Sequence, residues 1–401
     1  MWRMTDTLKP RDAKDVEDAV QWALAGNKTL EVIGHGSKRG IGRAAQWDMS
    51  LDLSGWSGVT LYEPEELILS ARAGTPLGEI ESLLAQHDQE LAFEPIDHGP
   101  LFGAPVGRGT IGGALAANLS GPRRIKAGAA RDHFLGVTAV SGRGETFKSG
   151  GRVVKNVTGY DLCKVLAGSY GTLAVMTDVT VKVLPRAETE QTLMVQGLDA
   201  AAATRAMSAA INSSNDVSGA AHLPARLAAM VWPETASSLT ALRLEGVAPS
   251  VVHRRQALET LLGPFGTLIA CDAERSRALW TSVRHVTPFA HDDRALWRIS
   301  TPPSRGHQVA AAIGDGDCFY DWSGGLIWLA LAPSGDAGAA RVRRALGGDG
   351  HATLVRAPAA IRAAVPVFEP QTQGVAALTR RLKESFDPQG VLSPGRMYAG
   401  V

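Results

Sequence analysis

Glycines at positions 34, 36, 40 and 42 punctuate the run Gly34-His-Gly-Ser-Lys-Arg-Gly-Ile-Gly42. Residues without a Cβ reach positive φ and let successive N–H groups converge on an anion, and Ser37 adds a hydroxyl. The chemistry on offer is pyrophosphate binding, although a flexible turn has the same composition. The loop has neither the Gly-Lys-Ser/Thr ending of a Walker loop nor the Gly-x-Gly-x-x-Gly spacing of a dinucleotide fold. A second run, Gly109-Thr-Ile-Gly-Gly-Ala-Leu-Ala-Ala-Asn-Leu-Ser-Gly121, joins a glycine pair to small side chains. Such a run lets backbone approach a planar or anionic ligand; tight helix packing draws on the same residues. Arg131-Asp132 follows, then Lys155-Asn-Val-Thr-Gly-Tyr-Asp-Leu162 and Gly168-Ser-Tyr-Gly-Thr-Leu-Ala-Val-Met-Thr177.

These runs need elements to position them. Val16, Ala19, Val20, Ala23 and Leu24 recur at helical spacing behind Asp12 as cap, with Gly26-Asn27 as the stop. Thr29 to Ile33 reads as a strand feeding the first glycine loop. Leu67 to Ala73 alternates as a strand, and Thr75-Pro76 supplies cap and first-turn residues for a helix carrying Leu77, Ile80 and Leu84. A hairpin is expected about Ser141 to Gly144, and Leu173 to Val183 alternates up to Pro185, the expected domain boundary. Beyond it, alanine-rich helices such as Asp199 to Asn212 mix with strands such as Ala295 to Ile299 and Leu326 to Leu331, the pattern of an α+β domain.

Bulk properties exclude several roles. The chain has 401 residues, enough for two cores, and its 41 basic residues nearly cancel 40 acidic ones, so no basic field for nucleic acid is implied. The longest apolar runs fall short of the roughly 20 residues that cross a bilayer. The start, Met1 to Asp6, lacks the order of a secretory signal, so the chain is read as cytoplasmic. Cys163, Cys271 and Cys318 are too dispersed for a disulfide framework or cluster ligand set, and no histidine spacing suggests a metal site; metal is expected to be absent.

Taken together, the glycine loop, Thr110-Ile-Gly-Gly113, Arg131-Asp132 and Gly168-Ser-Tyr-Gly-Thr-Leu173 resemble the vanillyl-alcohol oxidase family, whose FAD domains are of the PCMH type. The resemblance covers residues 10 to 185. Within that family it is to the FAD-binding subunits of bacterial glycolate oxidases, through Gly121-Pro-Arg-Arg124, Lys155 to Asp161, Leu296-Trp-Arg298 and Pro394-Gly-Arg-Met-Tyr398. It implies an α+β protein: a two-lobed PCMH-type FAD-binding domain (1–185), an α+β cap of antiparallel sheet and helices (186–380), and a segment (381–401) returning to the FAD domain. It also implies that FAD is held by Gly34, His35, Gly36, Ser37, Lys38, Gly109, Thr110, Ile111, Gly112, Gly113, Ala116, Asn118, Gly121, Arg131, Asp132, Gly171, Val175 and Arg396. Covalent relatives end the glycine loop in histidine. Ser37 stands at that place here, so FAD is expected to be non-covalent.

Oxidation of a small 2-hydroxy acid such as glycolate needs its carboxylate neutralised, its hydroxyl proton accepted and its hydride placed against the flavin. Arg298 and then Arg284 are the carboxylate candidates, since guanidinium binds carboxylate bidentately; either also suits a salt bridge. Tyr160, His285 and His291 are chemically able to accept the proton, and the sequence does not choose among them. Metal-assisted relatives carry a histidine-flanked Gly-Asp-Gly-Asn run in the cap. Gly314-Asp-Gly-Asp-Cys318 only echoes it and reads as a turn. The resemblance therefore implies partners, namely a homologous FAD-containing catalytic subunit and an iron–sulfur subunit; Trp297 and Leu326 to Leu331 offer large apolar side chains for such an interface on the cap, and the same residues suit the cap's own core.

Overall fold

The computed structural model describes residues 6–151 and 159–401. Lys155 to Thr158, half of one motif, therefore lie outside the described residues. The chain divides into two compact units, Met1–Ser120 with Ala129–Pro185 and Pro370–Val401, and Gly121–Gly128 with Arg186–Glu369. The returning segment thus begins at Pro370 rather than 381, and a short stretch around Arg123 belongs with the second unit.

In the first unit, the helix Ala13–Ala25 starts where the Asp12 carboxylate accepts the Asp15 N–H at 2.7 Å and stops at Gly26. Its apolar face, Val16, Val20 and Ala23, is fully buried with Leu30, Leu51, Val140 and Val175. Each full-sized aliphatic side chain so buried contributes about 1.5–3 kcal/mol. The neighbouring parallel sheet has strand order Asp6–Leu8, Met49–Asp52, Leu30–Ile33. A second sheet is antiparallel, in the order Val59–Glu63, Ile68–Arg72, Ala174–Lys182, Phe134–Ser141, Thr146–Gly150. Its core gathers Leu69, Ile80, Leu84, Phe93 and Ile111. Thr75 does not cap the helix Leu77–Ala85 as expected: Pro76 holds the cap position, and the Thr75 hydroxyl donates instead to the Arg72 carbonyl at 2.7 Å.

The returning segment is tied down by a buried ion pair. On the helix Gln373–Phe386, the Lys383 ammonium donates to the Thr172 carbonyl (2.6 Å), the Asp387 carboxylate (2.7 Å) and the Leu392 carbonyl (2.9 Å). Asp387 in turn accepts the N–H groups of Val391 and Leu392 at 2.9 and 2.8 Å. All three ammonium protons are thereby used, the condition under which a buried charge is tolerated. Leu30 donates its N–H to Val391 at 2.8 Å, and Ser393 donates its own to Leu30 at 2.8 Å, so the segment runs beside the strand that feeds the glycine loop.

The second unit is built on one eight-stranded antiparallel sheet, in the order Leu268–Cys271, Thr189–Gln196, Leu239–Gly246, Gly219–Leu223, Asp317–Asp321, Leu326–Leu331, Ala295–Ser300, His351–Arg356. Alternation puts Leu193, Val195, Leu242 and Leu244 on one face, where the helices Ala200–Ile211 and Ala248–Leu262 cover them. The strand Leu326–Leu331 is buried at every position, Trp297 is 0% and Trp328 1% exposed. The expectation that these side chains form a partner surface is corrected: they fill this unit's own core, and the Trp297 indole N–H is used on the Ala337 carbonyl at 2.8 Å.

Candidate functional site

A cavity opens in the first unit where the strand Leu30–Ile33 runs into the glycine loop. Gly34, His35, Gly36, Ser37, Lys38, Thr110, Gly112, Gly113, Ala116, Gly171 and Arg396 line it, all of them sequence candidates. The loop supplies one wall. Gly36 sits at φ 76, a left-handed conformation that favours glycine. The helix Ile111–Ala117 supplies another, started by the Thr110 hydroxyl, which accepts the Gly113 N–H at 3.2 Å. Its glycine pair has two distinct uses. A Cβ on Gly112 would lie 2.7 Å from the Ala73 Cβ, so Gly112 permits packing, whereas a Cβ on Gly113 would lie 3.1 Å from the Thr110 hydroxyl and 3.7 Å from the Lys38 ammonium, within the cavity wall itself.

The electrostatics are uneven. Lys38 is 8% exposed, and its ammonium makes no hydrogen bond or ion-pair contact to a described residue. Burial pushes its ammonium down to about 8; Asp97 favours the charge and nearby Arg396 opposes it. A buried cation without a contact partner is costly unless something anionic meets it. Arg396, also buried, donates from Nη2 to the Lys38 carbonyl at 3.1 Å, fixing the loop from the returning segment. His35 Nδ1 is buried without a hydrogen-bond partner among the described residues. Arg39, which the sequence reading passed over, lines the cavity too, but its charge is engaged by buried Glu31, which accepts from Arg39 Nε at 3.0 Å.

Seven candidates lie elsewhere. Ile111 and Val175 are fully buried in the cores. The strand's period of two explains Val175: its neighbours Ala174 and Met176 face the cavity, so Val175 faces the other way. Asn118, at φ 47, ends the helix and accepts the Arg131 N–H at 3.0 Å, while Asp132 accepts the Ala129 N–H at 2.8 Å. Those side chains cap turns, and the Arg131 side chain is exposed. Gly109 lies beside Leu77, and Gly121 belongs to the second unit, its carbonyl accepting the Trp322 indole N–H at 3.0 Å. Leu53, Ala73 and Tyr170 line the cavity without having been singled out. Tyr170 carries the one readable signal, its place between Ser169 and Gly171 in a turn where both it (φ 53) and Gly171 (φ 76) are left-handed.

Of the substrate candidates, Tyr160 is 90% exposed. Arg284 closes the helix Ala273–Arg284, His285 follows as its cap, and His291 is exposed. Arg298, in the strand Ala295–Ser300, places its guanidinium 5.0 Å from the Trp322 ring centroid. The acidic run ending at Cys318 is structural, as Asp317 pairs with Arg226 and, at 2.6 Å, with Arg294. Burial raises all three thiols, Cys163 to about 12 and Cys271 to about 11, so none is a thiolate at neutral pH. Among the described residues no helix is long and apolar enough to cross a membrane, and no group of three or more His, Cys, Asp or Glu is placed to hold a metal ion.

This fold is that of PCMH-type FAD-binding proteins. The chain superposes on p-cresol methylhydroxylase with a TM-score of 0.73 (15% identity, 97% of this chain and 88% of that one) and on 4-ethylphenol oxidase from Gulosibacter chungangensis with 0.72 (12% identity, 98% and 89%). Residues 7–150 match the family described as FAD binding domain. The chain is 32% identical over 387 residues to glycolate oxidase subunit GlcE of Escherichia coli K12, covering 95% of this chain and 96% of that protein. It is 26% identical over 332 residues to glycolate oxidase subunit GlcD of Bacillus subtilis, covering 72% and 68%. The chain belongs to the GlcE family of glycolate oxidase subunits.

Proposed function

We propose that this chain is the FAD-binding subunit of a cytoplasmic glycolate oxidase complex, in which glycolate or a similar small 2-hydroxy acid becomes glyoxylate and electrons pass to partner subunits. The observation that carries it is the match to GlcE along almost the whole of both chains. The cavity fits FAD: among the described residues Lys38 offers a buried ammonium without a contact partner and His35 a ring nitrogen without a hydrogen bond, and Gly113 leaves a place that any side chain would fill. Bound there, FAD would supply the redox chemistry.

The chain's own residues then have separate tasks. Lys38, with the loop N–H groups and the Ser37 hydroxyl, neutralises the anionic part of the cofactor. Ser37 cannot form a histidyl link, so the cofactor is held without a covalent bond. Arg298 neutralises a substrate carboxylate, its guanidinium oriented by the Trp322 ring, and Arg284 is the second candidate. A second reading, in which this chain bears FAD as a relay or assembly subunit without substrate chemistry of its own, is favoured by the engagement of Asp317 in ion pairs and by the exposure of Tyr160. A homologous flavoprotein and an iron–sulfur subunit are the expected partners, since Cys163, Cys271 and Cys318 are too dispersed to hold a cluster in this chain.

Purified protein should be yellow and should release its FAD on acid precipitation; flavin retained on the denatured chain would refute non-covalent binding. Glycolate-dependent dye reduction should appear only when the homologous flavoprotein and the iron–sulfur subunit are co-expressed with this chain. Full activity from the chain alone, at the rate of the complex, would leave a self-contained dehydrogenase instead. Anaerobic glycolate added to the isolated chain separates the two readings: flavin bleaching gives this subunit its own substrate site, and an unchanged spectrum makes it a relay.

A further inference from the structure

The second unit has a depression of its own between the helix Ala200–Ile211, the turn Pro303–Arg305, the helix Gly306–Ile313 and the turn Trp322–Gly324. The segments meet at backbone distance: a Cβ on Gly306 would lie 2.1 Å from the Gly324 carbonyl oxygen. The side chains left facing the space are of one electrical kind. Arg205, Ser208, Ser304, His307 and Ser323 line it, and no aspartate or glutamate does.

Two of these groups are held in place without a hydrogen-bond partner among the described residues. His307 Nδ1 is buried and makes no hydrogen bond to a described residue. Ser323 is 6% exposed, lines the depression and has no hydrogen-bond partner for its hydroxyl among the described residues. Its backbone is left-handed at φ 59, a conformation that costs a non-glycine residue roughly 1–2 kcal/mol. The turn is fixed from behind: the Asp321 carboxylate accepts the Trp322 N–H at 2.7 Å, and the Trp322 indole donates to the Gly121 carbonyl at 3.0 Å. Arg205 stands on the same helix face as Ser208 and makes no ion pair with a described residue, whereas Arg305, next to Ser304, is engaged with Asp349. A guanidinium, an imidazole nitrogen and three hydroxyls reaching one space from four segments suit an anion with oxygens in several directions.

We propose that this depression is a binding site for a phosphate-bearing small molecule. The site is separate in sequence and in lining from the FAD cavity, and its failure would leave the reading of that cavity untouched. A tetrahedral oxyanion presents oxygens in several directions to donors from four segments, whereas the lone pairs of a carboxylate lie in one plane.

Titration of the FAD-loaded full chain with inorganic phosphate, by calorimetry at constant ionic strength, should give saturable binding with Kd on the order of 1 mM or tighter. Arg205→Gln should weaken it roughly 10-fold or more, and Ser323→Gly, which suits the left-handed φ and removes only the hydroxyl, about 2- to 13-fold. Both variants should keep their FAD. Arg341→Gln, which removes an exposed cation elsewhere on the unit, should change nothing. Absence of saturable binding, equal weakening by Arg341→Gln, or acetate binding as tightly as phosphate would overturn the proposal.

Discussion

Lys38 and Arg123 are both buried cations, one in each unit, and they are treated in opposite ways. Arg123 meets Glu245 with two parallel hydrogen bonds, at 3.1 and 2.7 Å, and the pair is sealed at 12% and 9% side-chain exposure. Lys38, at 8% exposure, touches no carboxylate among the described residues. The first arrangement is self-satisfied and holds the Gly121–Gly128 segment in the second unit; the second leaves a desolvated charge aimed at a cavity. Burial alone does not distinguish a structural charge from a functional one. What distinguishes them is whether the protein itself completes the pairing.

The strongest attack on that contrast removes the space Lys38 faces. Gly113→Val should abolish FAD retention in a protein that still folds, since the added Cβ meets only the Thr110 hydroxyl at 3.1 Å and the Lys38 ammonium at 3.7 Å. Normal FAD content in folded Gly113→Val, read from the absorbance ratio, would show that the cofactor lies elsewhere. Lys383→Met tests a satisfied cation within the first unit. It orphans Asp387 and should lower unfolding free energy by about 3–5 kcal/mol in urea titrations; a loss under about 1 kcal/mol would mean that the backbone carbonyls carry the clasp.

Lys38→Met removes the unsatisfied charge and should weaken FAD binding roughly 10- to 150-fold, from about 1.5–3 kcal/mol of charge-assisted interaction. A pH signature accompanies it. Because burial lowers the folded-state value to about 8, below the ordinary 10.5 of the unfolded chain, the cost of the buried charge is present below pH 8 and is relieved as pH rises towards 10.5. FAD affinity, which draws on that charge, should therefore fall above pH 8 in the natural protein and stay level in Lys38→Met. A parallel pH dependence in the two would remove Lys38 from the cofactor's reach. The gentlest test is in the second unit: if Arg298 binds substrate carboxylate, Arg298→Met should weaken substrate binding by up to the same 10- to 150-fold in the assembled complex, with FAD content unchanged. An unaltered substrate affinity returns Arg298 to packing on Trp322.

The contrast also explains what could be read from the chain alone. Glycine loops advertise themselves, because positive φ and close approach leave few alternatives to glycine; Gly34 to Gly42, Gly113 and Gly171 were legible for that reason. The helix behind Asp12 and the strand Ala174–Lys182 were legible from period. Faces were harder. Val175 was assigned to the cavity where Ala174 and Met176 face it, since alternation fixes which residues share a side and not which side holds the ligand. Asn118 and Asp132 fit a ligand-binding motif yet act as caps, a role set by the N–H groups of Arg131 and Ala129 folding back onto them. The Lys383 clasp was invisible, since its partners Thr172 and Leu392 offer only backbone carbonyls, which carry no sequence signal. Trp297 and Leu326–Leu331 were legible as buried but not as buried in what.

The bond between the Val32 N–H and the Ser393 hydroxyl spans 361 positions of chain. At roughly 5–20 residues per second of synthesis, the strand that feeds the glycine loop waits about 20–70 s for its neighbour. Arg396, which fixes the Lys38 carbonyl, emerges later still. The cavity is thus assembled from segments 361 positions apart, and FAD bound there would meet a finished pocket only after the whole second unit has been made.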